Sequence, residues 1–382
     1  MASLNSVEAA SNANFPSRHA LGTTTPAHKN TAIDGLIGSI FLQVLPPMRA
    51  RRFISTRLGW VLNGEMMSNK SRGHHYLSQC YLKGFTADGA RTSRLAVIDG
   101  KERKAFRTVP ENVAKVRDFN RLNAEGFDPN ALEQKLSELE SKVAEAIAEL
   151  ERGAPFQDER REVVLSLAAI FAIRNPHKRE VWRQNMANLM DRVMDTALHS
   201  KEMWQRQIDA AREDGQRVDD GVTYEQMKDF HERKEYRIEL SNDRHIEMEF
   251  VGLDAVLPYF LSRGWSLFRN SDDDAPFITS ETPVTVMWTD GGEGRFPLGY
   301  ALRGTSVCFP VSRNLYLIGR FDDSDTDQQV DDIFVAFANE STIAHAQGRL
   351  FAPSYDFRFT THENKILDGR SLLASLSITE PR

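Results

Sequence analysis

Val163-Val-Leu-Ser-Leu-Ala-Ala-Ile-Phe-Ala-Ile173 is an apolar run interrupted by a single hydroxyl. A helix that is apolar on every side has to be covered on every side, so this stretch predicts the buried central helix of the fold. Arg174-Asn175-Pro176 follows directly, and the proline removes a backbone donor, which kinks or ends the helix. Arg174 is therefore expected near the core. It either faces a cleft or binds the last carbonyls of the helix or a structural carboxylate.

The segments on both sides of this run also have helical periodicity. Upstream, a helix that starts at Asp128-Pro129 and closes at Gly153 places its apolar residues three and four positions apart. These residues are Leu132, Leu136, Leu139, Val143, Ile147 and Leu150. Downstream, helices are expected over Lys178–His199, Lys201–Asp214, Thr223–Leu240 and Val251–Leu261, and Thr223-Tyr-Glu-Gln226 resembles a capping box.

From Trp265 onward the pattern changes to short runs that favour strands and are separated by Asp, Gly, Asn and Pro. The runs are 265–269, 277–280, 284–288, 305–311 and 315–321, with a further strand near 349–352. A helix is expected over 328–347, with Val330, Ile333, Phe334, Phe337, Ile343 and Ala344 facing inward. A hairpin is expected around Asp99-Gly100. The pattern predicts an α+β fold, in which a helical layer packs on a mainly antiparallel C-terminal sheet.

The composition limits the kinds of partner and site that can be expected. Lys and Arg number 48 against 54 Asp and Glu, so the net charge of −6 gives no general attraction to nucleic acid or to an anionic membrane. Cys80 and Cys308 are too few for a disulfide framework or a cysteine zinc site, which favours a reducing, cytoplasmic location. No apolar run reaches the length of about 20 residues that spans a bilayer.

Residues 1–66 differ from the rest of the chain. They are rich in Ser, Thr, Ala and Asn and carry six basic against three acidic side chains. Such a composition resembles that of a transit peptide. A simpler explanation is a disordered leader, or a start codon assigned too early, in which case the initiator is Met66 or Met67. A single domain is expected over 67–382.

Familiar catalytic signatures are absent from the sequence. It contains no P-loop, dinucleotide glycine fingerprint, His-Glu-x-x-His, Gly-x-Ser-x-Gly or Cys-x-x-Cys. The most chemically dense stretch is instead His74-His-Tyr-Leu-Ser-Gln-Cys-Tyr-Leu-Lys-Gly-Phe85, which combines two imidazoles, an amide, two phenols and a thiol. This segment marks the expected start of the folded domain.

His75-Tyr76-x-x-Gln79-x-Tyr81-Leu82-x-x-Phe85 resembles the opening signature of the DUF4238 family, H-Y-V-P-Q-F-Y-L-R-N-F. Further stretches resemble later family landmarks in the same order: Leu136-Ser-Glu-Leu-Glu140, Arg174-Asn175-Pro176, Phe277–Val284, Phe309-Pro-Val-Ser312 and Asn339. The resemblance covers about residues 72–355 and implies no known activity. Cys80 stands where the family has Phe, which argues against a Cys–His nucleophile, and Glu281-Thr282 replaces Asp-Asn, which weakens a metal-ligand role there.

The resemblance and the residue chemistry together define a candidate site. His75 and Glu281 are expected to act as an acid–base pair, and Arg174 to hold an anionic group. Gln79, Thr279, Ser280 and Asn339 complete the substrate-binding set, whereas His74 is expected to be exposed. No metal ligands are predicted, and neither a cofactor nor an oligomeric state is indicated.

Two functions remain open from the sequence. The first is a hydrolase that acts on an anionic, phosphate-containing or nucleic-acid substrate. The second is a non-enzymatic binding or regulatory module whose polar residues form a structural network. The ligand would be a small molecule or a nucleic acid, with no membrane partner; the basic segments Lys101–Arg107 and Arg174–Arg183 are the candidates for nucleic-acid contact.

Overall fold

The structure, a computed structural model, describes residues 72–123, 128–215, 218, 221–234, 236–272, 274–291 and 297–379, and the backbone of two short strands before them. Those strands are the antiparallel pair β1 (Ile54–Ser55) and β2 (Trp60–Val61). The rest of the leader expected over 1–66 lies outside the described residues. The described chain divides into a smaller unit over Val181–Glu239 and a larger unit made of the remainder.

Two mainly antiparallel sheets dominate the larger unit. The five-stranded sheet has the order β12-β7-β11-β10-β9, and the four-stranded sheet has the order β5-β4-β13-β8. The strands outside β1 and β2 are β3 (Gly73–His75), β4 (Leu95–Asp99), β5 (Lys104–Thr108), β6 (Lys115–Arg117), β7 (Gly264–Asn270), β8 (Thr279–Ser280), β9 (Thr285–Trp288), β10 (Thr305–Ser312), β11 (Leu315–Arg320), β12 (Thr326–Val330), β13 (Arg349–Ala352), β14 (Arg358–Thr360) and β15 (Ile366–Asp368). Among the described strands, β12 pairs in parallel with β7, and the other pairings are antiparallel.

The helices supply the second layer. They are α1 (Gln79–Leu82), α2 (Ala131–Glu151), α3 (Asp158–Ile173), α4 (Pro176–Ala197), α5 (Lys201–Glu213), α6 (Tyr224–Glu232), α7 (Asn242–Leu261), α8 (Asp332–His345) and α9 (Gly369–Ser375). The α+β prediction is confirmed, with the refinement that residues 95–108 build half of the second sheet. Within the described part of the chain, every helix is too short or too polar to cross a bilayer.

Helix α3 is the buried central helix that its sequence predicts. Every residue from Val164 to Ile173 is buried, and α3 packs between α2 and α7. Gly252 of α7 lies so close to α3 that an added Cβ would stand 3.0 Å from Ile173. The proline that follows ends α3 rather than kinking it, because Pro176 occupies the first position of α4, where no backbone donor is needed.

Tyr81 joins the opening segment to this helix and to the sheet. Its ring lies 5.0 Å from that of Phe171 in α3 and 5.6 Å from that of Phe309 in β10. Its hydroxyl donates to the Pro310 carbonyl at 2.7 Å and lies 2.7 Å from Thr279 Oγ1 in the other sheet. One fully buried side chain therefore ties together three elements that are distant in sequence.

The prediction of a single helix over 328–347 is wrong at its start and in its inward face. Residues up to Val330 belong to β12, and α8 begins after Asp331, whose side chain accepts the Phe334 N–H. Ile333 and Phe337 are 50% and 48% exposed, because α8 turns the face that carries Asn339 inward. Similarly, α6 ends at Glu232 rather than at 240, and α7 begins at Asn242 behind a Ser241 cap.

The smaller unit has its own core, formed by α4, α5 and α6. Thr223 and Gln226 form the predicted capping box at the start of α6. The core side chains are Met190, Met194, Leu198, Trp204, Ile208 and Met227. The methionine stripe of α4 is therefore part of a core, which is the simplest use of residues at helical spacing.

We expect Tyr81→Phe to destabilise the protein by about 1–3 kcal/mol, because the Pro310 carbonyl and Thr279 hydroxyl lose their buried partner. Urea denaturation of the purified chain measures this. Tyr259→Phe is the matched control, since Tyr259 is 41% exposed, and it should change stability by less than about 0.5 kcal/mol. Equal effects of the two substitutions would contradict the role given to Tyr81.

Candidate functional site

The two histidines of β3 point in opposite directions, as neighbouring residues on a strand do. His74 is buried, and its Nδ1 accepts the backbone N–H of Asn120 at 2.8 Å. The expectation that His74 is exposed was wrong, because the pairing of β3 with β6 turns this side chain inward. His75 is half-buried, and its Nε2 lies 3.2 Å from the Glu111 carbonyl.

Arg174 lies against this strand from the end of α3. Its Nη2 donates to Asn120 Oδ1 and lies 3.4 Å from the His75 carbonyl. Asn120 is fully buried and in turn donates from Nδ2 to Glu133 Oε2 on α2. One asparagine therefore links β3, the arginine and the acidic helix.

A second arginine and a buried glutamate lie behind Arg174. Glu249 of α7 accepts the Nε–H of Arg179 at 2.6 Å, and its other oxygen lies 3.9 Å from Arg174 Nε. Both guanidinium groups lie over the ring of Phe119, at 5.2 Å for Arg174 and 3.6 Å for Arg179. Arg174 is thus buried and paired, as the structural alternative for this residue predicts.

Glu140 stands on the same side of α2 as Glu133, two turns further along. Burial raises the pKa of Glu140 to about 7, and the nearby Glu133 raises it too, whereas Arg174 and Arg91 lower it. Arg91 is exposed and donates to Gln79 Oε1 at 2.6 Å. Gln79 and Glu140 therefore share Arg91 as a neighbour.

His75 belongs to the same group through Glu133. Burial lowers the pKa of His75, Lys115 lowers it further, and the Glu111 carbonyl and Glu133 oppose the change. We call His75, Gln79, Arg91, Glu133, Glu140 and Arg174 the Glu140 cluster. The structure thus brings together three of the residues predicted for the site, namely His75, Gln79 and Arg174.

Glu281 lies in different surroundings. Burial raises its pKa, and Lys101 and Arg349 oppose the change. Glu281 is also close enough to Tyr76 to raise the pKa of that hydroxyl further, after burial. Among the contacts of the described residues, none joins Glu281 to the His75 ring, so the predicted acid–base pair does not form here.

The three remaining predicted residues have structural partners. Thr279 and Ser280 are fully buried in β8, where Thr279 binds Tyr81 and Ser280 Oγ accepts the Thr282 N–H at 3.2 Å. Asn339 accepts the Ile278 N–H at 2.9 Å and donates to the Pro276 and Arg358 carbonyls. Its amide thus holds α8 to the segment that leads into β8.

Neither thiol nor metal chemistry has support in this region. Burial raises the pKa of the Cys80 thiol to about 12, so little thiolate exists at neutral pH. Across the residues that the structure describes, no group of three or more His, Cys, Asp or Glu side chains has a metal-binding arrangement.

Near neutral pH, the cluster can hold one group as a proton acceptor and another as a proton donor. The pKa of His75 is lowered and that of Glu140 is raised, so a neutral imidazole and a protonated carboxyl group coexist slightly below pH 7. Acid–base enzymes use groups whose pKa values are shifted in opposite directions, and Glu133 acts on the pKa of both His75 and Glu140. Arg91 adds an exposed cation next to Glu140.

Sequence reasoning missed Arg91, Asn120, Glu133 and Glu140 as site residues. The signal for the two glutamates was present, because residues seven apart on a helix share a face and Glu140 ends the acidic stretch that resembles a family landmark. Asn120 and Arg91 lie outside regular elements, where no periodicity marks them.

The second of the two basic segments, Arg174–Arg183, is poorly suited to nucleic-acid contact. Arg174 and Arg179 are buried and occupied by Asn120 and Glu249. A phosphate contact would require both to leave these partners. In the first segment, Arg107 lies 5.4 Å over the Tyr355 ring, whereas Lys101 is exposed.

We expect Asn339→Ala to destabilise the protein by about 2–4 kcal/mol, because three buried backbone groups lose their partner. Chemical denaturation measures the loss, with Ile333→Ala on the exposed side of α8 as the control. A stable Asn339→Ala protein would argue against this structural role and would keep Asn339 as a candidate binding residue.

Glu140→Gln should stabilise the protein above neutral pH. The folded protein raises the pKa of Glu140 from 4.5 to about 7, so the proton is held more tightly in the folded than in the unfolded chain. That stabilisation is complete below pH 4.5 and is lost as the pH rises to about 7. Gln keeps the neutral form, so the variant should match the wild type in acid and exceed it by about 3 kcal/mol near pH 8.

Urea titrations at several pH values measure this difference. Glu138→Gln is the matched control, because Glu138 is exposed on the same helix and pairs with Lys135. A Glu140→Gln protein that is less stable than the wild type near pH 8 would show that the charged carboxylate is a structural partner of Arg91 and Arg174.

Comparison with known proteins adds a family but no activity. No curated protein and no solved structure matches the chain. The family model described as a protein of unknown function, DUF4238, matches residues 73–356 of the 382. The match begins at β3 and includes all six residues of the Glu140 cluster. The chain therefore belongs to the DUF4238 family.

Proposed function

We propose that this chain is a hydrolase that acts on an anionic, phosphate-containing or nucleic-acid substrate at the Glu140 cluster. The observation that carries the proposal is the convergence of His75, Gln79, Glu140 and Arg174, which come from three distant segments of the sequence. The opposite pKa shifts of His75 and Glu140 support an acid–base role for the pair.

In this mechanism His75 is the general base. Its lowered pKa keeps the imidazole neutral at pH 7, so it can accept a proton from a water molecule. The water oxygen then bonds to phosphorus as the bond from phosphorus to the leaving oxygen breaks. Glu140, protonated below about pH 7, gives its proton to that leaving oxygen.

Arg91 supplies the accessible positive charge for the substrate anion. It is exposed, and its contact with Gln79 Oε1 fixes the guanidinium beside Glu140. Arg174 acts from behind the site, where it holds Asn120 and the His75 carbonyl in place. Glu281, the partner first expected for His75, is near Tyr76 and Arg349 instead, so the acid is assigned to Glu140.

The second candidate is a non-enzymatic binding or regulatory module. It is favoured by the complete burial of Thr279, Ser280 and Asn339 and by the pairing of Arg174 with neighbouring groups. Under this alternative the polar residues lock the layers together, and Glu133 only anchors α2 to Asn120. The two candidates differ in whether Glu140 influences a reaction.

The decisive experiment compares two leaving groups. The chain is assayed on phenyl and p-nitrophenyl phosphate mono- and diesters and on labelled RNA and DNA oligonucleotides. Glu140→Gln should slow hydrolysis of phenyl or ribose esters by about 10²-fold, because a poor leaving group needs a proton. It should slow p-nitrophenyl esters far less, because nitrophenolate leaves without one. The wild-type rate on phenyl esters should fall above about pH 7.

Glu138→Gln is the control and should retain the wild-type rates, since Glu138 lies on the exposed face of α2. Arg91→Gln should raise KM with a smaller change in kcat. If a folded wild-type chain hydrolyses none of these substrates, the non-enzymatic module is favoured. Equal losses for both leaving groups would instead contradict the role of Glu140 as the acid.

A further inference from the structure

A buried histidine of the smaller unit stands at the centre of a second polar network. His231 lies in the last turn of α6 and is 4% exposed. Its Nε2 lies 2.7 Å from Asp195 Oδ1 of α4, and its Nδ1 lies 2.6 Å from the Tyr236 hydroxyl. That hydroxyl donates in turn to Asp191 Oδ1, one turn earlier in α4, at 2.9 Å. The ring therefore has a close polar neighbour at each nitrogen.

The chemistry of these neighbours fixes the protons of the ring. Burial opposes the ionisation of Asp191, but hydrogen bonds from Lys234 and Tyr236 hold the pKa of its carboxyl group below the usual value. A carboxylate only accepts, so the single hydroxyl proton of Tyr236 points to Asp191, and the Tyr236 oxygen can only accept from His231 Nδ1. Asp195 is also a carboxylate, so its contact at 2.7 Å requires a proton on Nε2. The network is thus satisfied only when His231 is an imidazolium.

The charges around the ring compete for its second proton. Asp191 and Asp195 of α4 favour that proton, whereas Lys234 opposes it, because its Nζ lies 3.4 Å from Nε2. Lys234 is held mainly by Asp191, at 3.1 Å. Other charged side chains of α5 and α6 pair with one another: Lys201 with Glu225, Lys228 with Glu232 and Asp229 with Arg233. Two carboxylates against one ammonium group favour the imidazolium.

Loss of one ring proton would change the partner of Nε2. While Nδ1–H still donates to Tyr236, a neutral ring has a lone pair at Nε2, which repels Asp195 Oδ1. The Lys234 ammonium group, already 3.4 Å away, can then donate to Nε2. Asp195 is free to turn into solvent, since its side chain is 67% exposed. The second proton therefore decides whether Nε2 binds α4 or the turn that follows α6.

We propose that His231 is a pH-sensitive switch that links α6 to α4 while its ring carries two protons. The link is complete below about pH 6.5, where a histidine is also protonated in an unfolded chain, and it is lost as the ring gives up a proton at higher pH. The switch goes beyond the proposed hydrolase, because none of its residues belongs to the Glu140 cluster.

Titration of the ring in the full chain tests the switch. Histidine is ¹⁵N-labelled, and long-range ¹H–¹⁵N spectra are recorded from pH 5 to pH 9. We expect a proton on both nitrogens of His231 at pH 6 and loss of the Nε2 proton at higher pH. Asp195→Asn should lower the midpoint of this titration by about one pH unit and Lys234→Gln should raise it, because the substitutions remove charges of opposite sign.

His231→Gln identifies the ring signals by their absence. If that variant does not fold, the signals are assigned through the bonded side-chain carbons of the wild type. A ring that is neutral at pH 6, or a midpoint that neither Asp195→Asn nor Lys234→Gln moves in the stated direction, would overturn the proposal.

Hydrogen exchange of the α6 backbone measures whether the proton holds α6 in place. In the wild type, protection of the α6 amides, corrected for the intrinsic effect of pH, should fall about tenfold between pH 6 and pH 8.5, because a charge-assisted hydrogen bond to α4 is lost. His231→Gln should remove this pH dependence, since Gln does not titrate.

His199→Gln is the matched control, because His199 is exposed between α4 and α5 in the same unit. This variant should keep the tenfold fall. Protection of α6 that is independent of pH in the wild type, or an equal effect of the two histidine substitutions, would contradict the switch. Neither measurement involves hydrolysis, so its outcome is separate from that of the hydrolase assay.

Discussion

The buried hydroxyl of Tyr81 is the contact on which the larger unit depends. It binds Pro310 in one sheet and Thr279 in the other, and its ring packs on Phe171 of the central helix. A phenol is suited to this position because its ring is apolar and its tip is polar. These contacts anchor the opening segment to both sheets and to α3, and they bring His75 and Gln79 to a set position near α2.

The polar network around Asn120 is the second constraint. Arg174 follows the buried, apolar end of α3, so its charge lies in a region where an unpaired cation would be costly. Asn120, Glu249 and the ring of Phe119 reduce that cost. Because Asn120 also holds Glu133, the same network that stabilises the arginine orients the acidic helix beside His75. One set of contacts therefore both stabilises Arg174 and positions the residues that we propose as the site.

Arg174 also separates two environments with different chemistry. On the Asn120 side lie His75, Glu133 and Glu140, whose pKa values depend on burial and on neighbouring charges. Arg174 and Glu249 also line a small cleft together with six apolar side chains. The first environment holds titratable groups, whereas the second is lined mainly by apolar side chains.

The order of helices and strands could be inferred from local pattern, because periodicity and capping involve residues a few positions apart. The apolar run of α3, the capping box at Thr223 and the strand pattern after Trp265 are examples. The family resemblance pointed to His75, Gln79 and Arg174; Arg174 contacts the His75 carbonyl, and Gln79 is linked to them through Arg91 and Glu140. Their partners were not predictable, because a charge is paired by whatever the fold brings near it. Glu140 rather than Glu281 lies beside Arg174, Asn339 faces inward although it is polar, and Asn120 has no pattern to mark it. Long-range packing decides which groups become partners, and it produces no periodic pattern in the sequence.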